Sequence, residues 1–513
     1  MNRRTALLAL LLSALAAFAA FEYSRLTDRG SSQATIAVRH GMSPEFLQQW
    51  AKIQAADAIE DPSKRCLAYP DAPWLHWKPE VVAAFCRTLS FHFISPVEMR
   101  AALDQGHPEI LDQAFQMYFD ENVSVPGKRG LLSRAYHSFE NNNPETKAIV
   151  EKWAELAPHS AFAFAARGTY YLHAAGEARG SDTIHNTAEA GLASMEELAN
   201  KAYADFQSAL AINPRLIWAF SEQIRIGRMV GDHELVEQSV KAALAIDPAD
   251  DRTYLDWIMA SEPRWGGSRQ QMLAIAHAAE QHLGENPLLV LVLEKPFSDP
   301  ATFTYNYSPA SLETLDRALL IAPSPFDLKF AGNTAMAGHL PEKAIWYFSE
   351  SYRFLNSSET LSERASALIA LGRTDLAKQS LGDVTKLKVQ DSNELRSLAD
   401  ALWRLDRLGD AEKLYITILE RNPLDQGALV SLSQLYLNKP IQLDKAKPLL
   451  ARLLEHYPNN ARGWLLSSID KPDAECHAAL RKYLELVDPN DSYEQPSIAM
   501  AKKRLAELER VSH

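Results

Sequence analysis

His173 and Glu177 stand four residues apart, the spacing that puts two side chains on one face of a helix, and Arg167, Arg179 and His185 flank them. An imidazole beside a carboxylate is the least that a proton-transfer pair or a partial set of metal ligands requires. If residues 175–198 folded back over this face, Arg167, His173, Glu177 and Arg179 would gather in a pocket. The plainer reading sends His173 into a groove and pairs Glu177 with a nearby arginine. A second stretch, Pro263-Arg-Trp-Gly-Gly-Ser268, has the composition of a ligand loop. Its two glycines let backbone amides approach a bound group, and Ser268 opens a helix whose N-terminus favours anions. It also reads as a tight connection, with Trp265 packed under the next element and Ser268 as its N-cap.

The usual catalytic signatures are not in the sequence. There is no Gly-x-x-x-x-Gly-Lys-Ser/Thr, no Gly-x-Ser-x-Gly and no His-Glu-x-x-His. With three cysteines and no Cys-x-x-Cys spacing, a structural zinc site is not expected, nor is any cofactor. Cys66 and Cys86 are natural disulfide partners if the chain enters an oxidising compartment, and Cys476 reads as a small buried apolar residue. The formal charge of −12 argues against a nucleic-acid partner, for which a basic surface is the usual footprint.

What would position these residues is a repeat. Ala209-Leu-Ala-Ile-Asn-Pro214 recurs as Ala243-Leu-Ala-Ile-Asp-Pro248, 34 residues on, and further closing prolines stand at 158, 287, 323, 423, 458 and 489. Proline cannot continue a helix, so each one ends a unit. A period near 34, with small residues at Ala243, Ala344, Ala377, Ala411 and Ala446 where second helices must pack closely, predicts eight or nine helix–turn–helix units. The turns are expected at Gly231-Asp232, Gly338, Gly372 and Gly409-Asp410. The expected fold is all-α: a helix–turn–helix repeat solenoid over 156–511, behind an N-terminal helical cap over 61–155. Between Pro158 and Pro214 the unit carries 22 surplus residues, expected as an insertion near 175–198 on one face.

The period, together with Phe164, Gly168 and Tyr171 at signature offsets, is similar to the tetratricopeptide-repeat superfamily. More narrowly, Cys66-Leu-Ala-Tyr-Pro with Trp77 and Cys86, Ala166-Arg-Gly-x-Tyr-Tyr171, Glu177-Ala-Arg-Gly180 with Thr187, and Pro263–Ser268 resemble an uncharacterised bacterial family of tetratricopeptide-containing proteins, over roughly 60–290. That resemblance implies a fold and a bacterial envelope context, but no activity. In repeats of this kind, positions 2, 5, 9, 12 and 13 of each first helix face the concave surface. Counted back from Pro248 they are Trp218, Ser221, Arg225, Arg228 and Met229; counted back from Pro423 they are Asn393, Arg396, Asp400, Trp403 and Arg404. Tryptophan with arginine is the pairing that most often anchors interfaces, although the tryptophans read as well as core and the arginines as a solvated face.

At the N-terminus, Arg3-Arg4 precede an apolar run from Ala6 to Phe21, the layout of a secretory leader with a small-x-small site at Ala17-Phe-Ala19. An uncleaved inner-membrane anchor over residues 5–23 is the alternative, with the rest of the chain again outside the cytoplasm. Residues 1–21 are thus leader or anchor, and 22–60 a linker with an amphipathic helix. Together these readings predict a non-enzymatic scaffold of the cell envelope, periplasmic, secreted or anchored. It would hold a protein or peptide in its groove through Trp218, Arg225, Arg228, Asn393, Arg396, Trp403 and Arg404. The alternative is an envelope enzyme or small-molecule binder with its pocket at the insertion.

Overall fold

The structure is a computed structural model that describes residues 44–125, 127–180, 189–302, 307–382, 392–438, 441–488 and 494–511. The leader or anchor over 1–23 and His185 lie outside the described residues. Among those described there are 26 α-helices and no strand, and no helix is long and apolar enough to cross a membrane. The chain is all-α, its helices arranged in repeated pairs, and it divides into two compact units: one of residues 51–339 with 353–356, the other of 1–50, 340–352 and 357–513.

In the first unit the repeat shows as helix pairs: Ala161–Arg179 with Glu189–Ile212, Ile217–Val230 with His233–Ile246, Asp251–Ala260 with Arg269–Glu280, and Val290–Thr302 with Pro309–Leu319. Pro158, Pro214 and Pro248 stand just beyond a helix end, whereas Pro287 opens the short 3-10 helix Pro287–Leu289. Two of these first helices begin on a side-chain cap: Ser160 accepts from the Ala163 amide and Asp250 from that of Thr253, each relieving one orphan donor. The alanines chosen for close packing, Ala243, Ala344, Ala377, Ala411 and Ala446, are all fully buried. Gly168 serves the same end, because a Cβ there would come within 2.9 Å of the Phe206 ring on the partner helix.

Two turn assignments need correction. Gly231 takes the left-handed conformation, with Asp232 capping the next helix as expected. Gly409, however, lies inside the first turn of Leu408–Arg421, and the left-handed residue is Asp406; near Gly338 it is His339. Asp tolerates this conformation, as His does less readily, so glycine was not required at either turn. Of the stretch read as an insertion, 175–179 and 189–198 belong to helices of 19 and 24 residues, and 181–188 lie outside the described residues.

The N-terminal region does two things. Residues 96–139 pack through Phe115, Tyr136 and Phe139 onto Trp153 and Phe162, covering the start of the repeats. Residues 61–88, held by a Cys66–Cys86 disulfide with Cα atoms 5.4 Å apart, lie against late parts of the same unit. Trp77 Nε1 donates to the Leu319 carbonyl at 2.8 Å, Phe85 meets the Phe354 ring at 5.1 Å, and Arg353 donates to the Cys66 carbonyl (2.9 Å) and to Asp71 (2.7 Å).

The second unit pairs Ser358–Ala370 with Thr374–Leu381, Ser392–Arg404 with Leu408–Arg421, Gln426–Leu437 with Leu443–His456 and Ala461–Ser467 with Asp473–Leu486, and ends on Gln495–Val511. Its buried Arg364 lies over the rings of Trp50 and Tyr352 and donates to Ser380 at 2.9 Å. Cys476 is buried, as expected.

Candidate functional site

The first helices Ile217–Val230 and Asp251–Ala260 are one repeat apart, so residues 34 apart in sequence stack in space. Arg252 therefore falls on Trp218, its guanidinium 5.1 Å from the ring centre, and Asp256 falls beside Glu222. Trp218 is 2 % exposed, stacks on Tyr136 at 5.2 Å and donates from Nε1 to Thr169 Oγ1 at 2.9 Å. The expectation that Trp218 is an exposed anchor is corrected here: the ring is large and flat enough to fill the space between successive first helices, and its one polar atom is satisfied inside.

Arg225 is likewise engaged. Its Nη1 lies 2.5 Å from Glu140 and 2.8 Å from Glu222, while Arg252 donates to Asp256 at 2.6 Å and approaches Glu222 at 3.5 Å and Glu140 at 3.8 Å. Glu222 is fully buried, and burial, opposed by Arg225, pushes its pKa up to about 7. Burial acts on Glu140 too, but the bond from His137 and the charges of Arg225 and Arg252 hold that carboxyl well below its usual range. Two arginines, three carboxylates and a histidine thus form one closed network that consumes its own charge.

Arg228, one helical turn further on, is left out. Among the described residues it has no carboxylate within ion-pairing distance, and burial holds its pKa below the usual guanidinium range. Its guanidinium lies 5.6 Å from the ring centre of Trp265, over which Arg179 also sits at 5.5 Å. The loop that presents Trp265 has Gly266 in the left-handed region, and a Cβ on Gly267 would run into the Ser261 carbonyl. Ser268 caps the next helix by accepting from the Gln271 amide, so the tight-connection reading describes this segment.

The four residues proposed for a pocket at the insertion do not converge. Arg167 forms a two-pronged pair with Asp205 (2.9 and 2.7 Å), His173 bonds Glu177 at 3.2 Å, and Arg179 turns to Trp265. Among the described residues each of the four is engaged with a different neighbour, and 181–188 lie outside the described residues. A cavity of about 470 Å³ does lie nearby, lined by Glu177 with Lys147, Glu151, Tyr170, Tyr171 and Lys201. Tyr171 donates to Glu151 at 3.2 Å, and burial, aided by that carboxylate, pushes its pKa up to about 12. No group of three or more His, Cys, Asp or Glu residues among those described is arranged to hold a metal ion.

In the other unit, Asn393's side chain is outside those described. Arg396 lies against Gly427, where a Cβ would strike its guanidinium; Trp403 is half-buried and Arg404 exposed, and Asp400 accepts from Tyr415. Sequence reasoning missed Glu140, Arg252 and Asp256. The period offered a signal for two of them, since Arg252 and Asp256 stand 34 residues after Trp218 and Glu222; Glu140 lies in unrepeated sequence and left none.

This geometry is that of an all-α protein built from repeated helix pairs. Residues 98–238 match the family model described as "Domain of unknown function (DUF4034)". No curated protein matches the chain. Among solved structures, it is similar to the tetratricopeptide domain of P58(IPK), at 13% identity with 77% of this chain and 97% of that chain covered and a TM-score of 0.20. It is also similar to yeast Tom70 (12% identity, 81% and 96% covered, TM-score 0.35) and to Cut9 in the APC/C heterotetramer Cut9-Hcn1 (12%, 80% and 95%, 0.35).

Proposed function

We propose that the chain is a non-enzymatic scaffold of the bacterial cell envelope that holds an acidic or C-terminal segment of a protein partner against its first-helix face. The observation that carries this reading is Arg228: a half-buried guanidinium with no carboxylate of the described residues within ion-pairing distance, Asp256 and Glu262 acting on it only from further off, beside neighbours whose charges are matched. An incoming carboxylate would find two donors already aligned and little competing water. In the other unit, considered by itself, the same register positions are held by Arg396, Trp403 and Arg404. The envelope assignment rests on Arg3-Arg4 and the apolar run after them, and the Cys66–Cys86 disulfide supports it, because such bonds persist in oxidising compartments. A reporter fused after about residue 40 tests it: an export-dependent reporter should be active, and activity only of a cytoplasm-dependent one would overturn the assignment.

The groove is tested by capture from envelope extract. Arg228→Ala should weaken recovery of the partner at least tenfold, about 1.4 kcal/mol, with melting unchanged. Undiminished capture would remove this face from consideration. A second reading, a small-molecule binder, is favoured only by the cavity of about 470 Å³ beside Glu177. In that case Tyr171→Phe and Glu177→Gln, rather than Arg228→Ala, would abolish binding.

A further inference from the structure

A cavity of about 790 Å³ lies away from the arginine face, in the range of volumes that ligand sites occupy. One wall is the helix Glu109–Ser124, which presents Asp112, Gln116 and Asp120 at successive turns, with Gln113, Met117 and Glu121 beside them. The other wall is the turn His159–Phe162 and the end of the helix Glu189–Ile212. Three carboxylates line the space and no lysine or arginine does; Lys128 reaches Glu121 at 3.5 Å without lining it. Asp112 is oriented by donors from Trp153 Nε1 (3.0 Å) and Ser160 Oγ (2.5 Å), and Asp120 accepts from Gln116 at 2.9 Å. Between the carboxylates the lining includes two exposed apolar side chains, Met117 (48 %) and Ile212 (45 %), that border the same hollow.

We propose that this cavity docks a basic amphipathic segment of a partner protein, its apolar residues seated on Met117 and Ile212 and its lysines or arginines facing Asp112, Asp120 and Glu121. The charge pattern selects this occupant. An acidic segment would meet three like charges, and a purely apolar one would strip water from them without return. A basic amphipathic helix satisfies both parts of the surface with the spacing that Asp112, Gln116 and Asp120 display. The site lies wholly within residues 98–238, the stretch that matches the family model, and it is independent of the arginine face.

The test uses the full-length chain and a fluorescein-labelled amphipathic peptide of lysine and leucine, read by fluorescence polarisation. Saturable binding is expected, weakened at least tenfold by Met117→Asp and by Asp120→Lys with Glu121→Lys. The charge-matched pair Glu196→Lys with Glu197→Lys should change it less than twofold. No saturable binding, or equal weakening by the charge-matched pair, would overturn the proposal; the latter would mean that the net charge of −12 attracts the peptide without a site. Displacement of the peptide by spermine, with Met117→Asp silent, would also overturn it, since the apolar floor would then play no part.

Discussion

Arg225 and Arg228 are one helical turn apart and differ in what their removal leaves behind. Without Arg225, Glu140 and the buried Glu222 lose their closest cation. Breaking a buried pair from one side costs roughly 3–5 kcal/mol, so Arg225→Ala should lower the denaturation midpoint sharply. Arg228→Ala removes a cation that no described carboxylate holds, so the midpoint should stay almost unchanged; equal losses would contradict the division drawn between them. Glu294 gives a pH test. It is fully buried, with Asp327 near and Lys295 at 3.6 Å, and burial with the Asp327 charge pushes its pKa up to about 8. The native chain therefore keeps a proton that the unfolded chain releases near 4.5. The stability from this group is fully present below pH 4.5 and is lost as pH rises to about 8. Glu294→Gln should flatten that decline in thermal melts between pH 5 and 8.5. A variant that declined as steeply as the parent would assign the pH dependence to other groups, such as Glu222 or Asp250, whose pKa values burial also pushes up to about 7.

At the scale of the elements, the repeat was legible and its joints only partly so. The 34-residue phrase located the helix pairs, because a proline that cannot continue a helix and an alanine that must sit under a neighbour leave fixed marks. Turns leave weaker marks. Asp406 and His339 adopt the conformation that was assigned to glycine, since a single left-handed residue needs only a side chain that tolerates it. The helical ends of the insertion, 175–179 and 189–198, were not read from the sequence for a related reason: an Ala- and Glu-rich surplus is good helix-forming sequence, so it lengthens helices as readily as it loops out. Of the candidate site, Arg225 and Arg228 were found by counting positions, but counting cannot tell a paired arginine from an unpaired one. Trp218 was misjudged because its register marks a face and says nothing of the aromatic Tyr136 that meets it. Gly267 tests the account of the Trp265 loop. Gly267→Ala forces a Cβ onto the Ser261 carbonyl and should cost about 1–3 kcal/mol. Gly284→Ala, with open space around it, should be neutral in the same urea titration.

For the molecule as a whole, the least legible feature was the destination of residues 61–88. They were expected to cap the repeats beside them in sequence, yet they meet Leu319 and residues 353–356, with Arg65 donating to Asn356. Contacts across 242 to 291 residues have no period to betray them. The disulfide in this segment, which closes about 20 residues, should contribute roughly 3 kcal/mol, and reduction should lower the midpoint by that amount. Peptide mapping under non-reducing conditions should recover Cys66 and Cys86 joined. Helical repeats otherwise assemble from neighbours and fold quickly, because each new helix finds its support already in place. This chain is made in the wrong order for its own closure. Trp77 and Phe85 leave the ribosome before their seat at Leu319 and Phe354 exists, and at about 5–20 residues per second they wait tens of seconds for it. During that interval two large aromatic side chains lack the surfaces against which they pack in the finished chain.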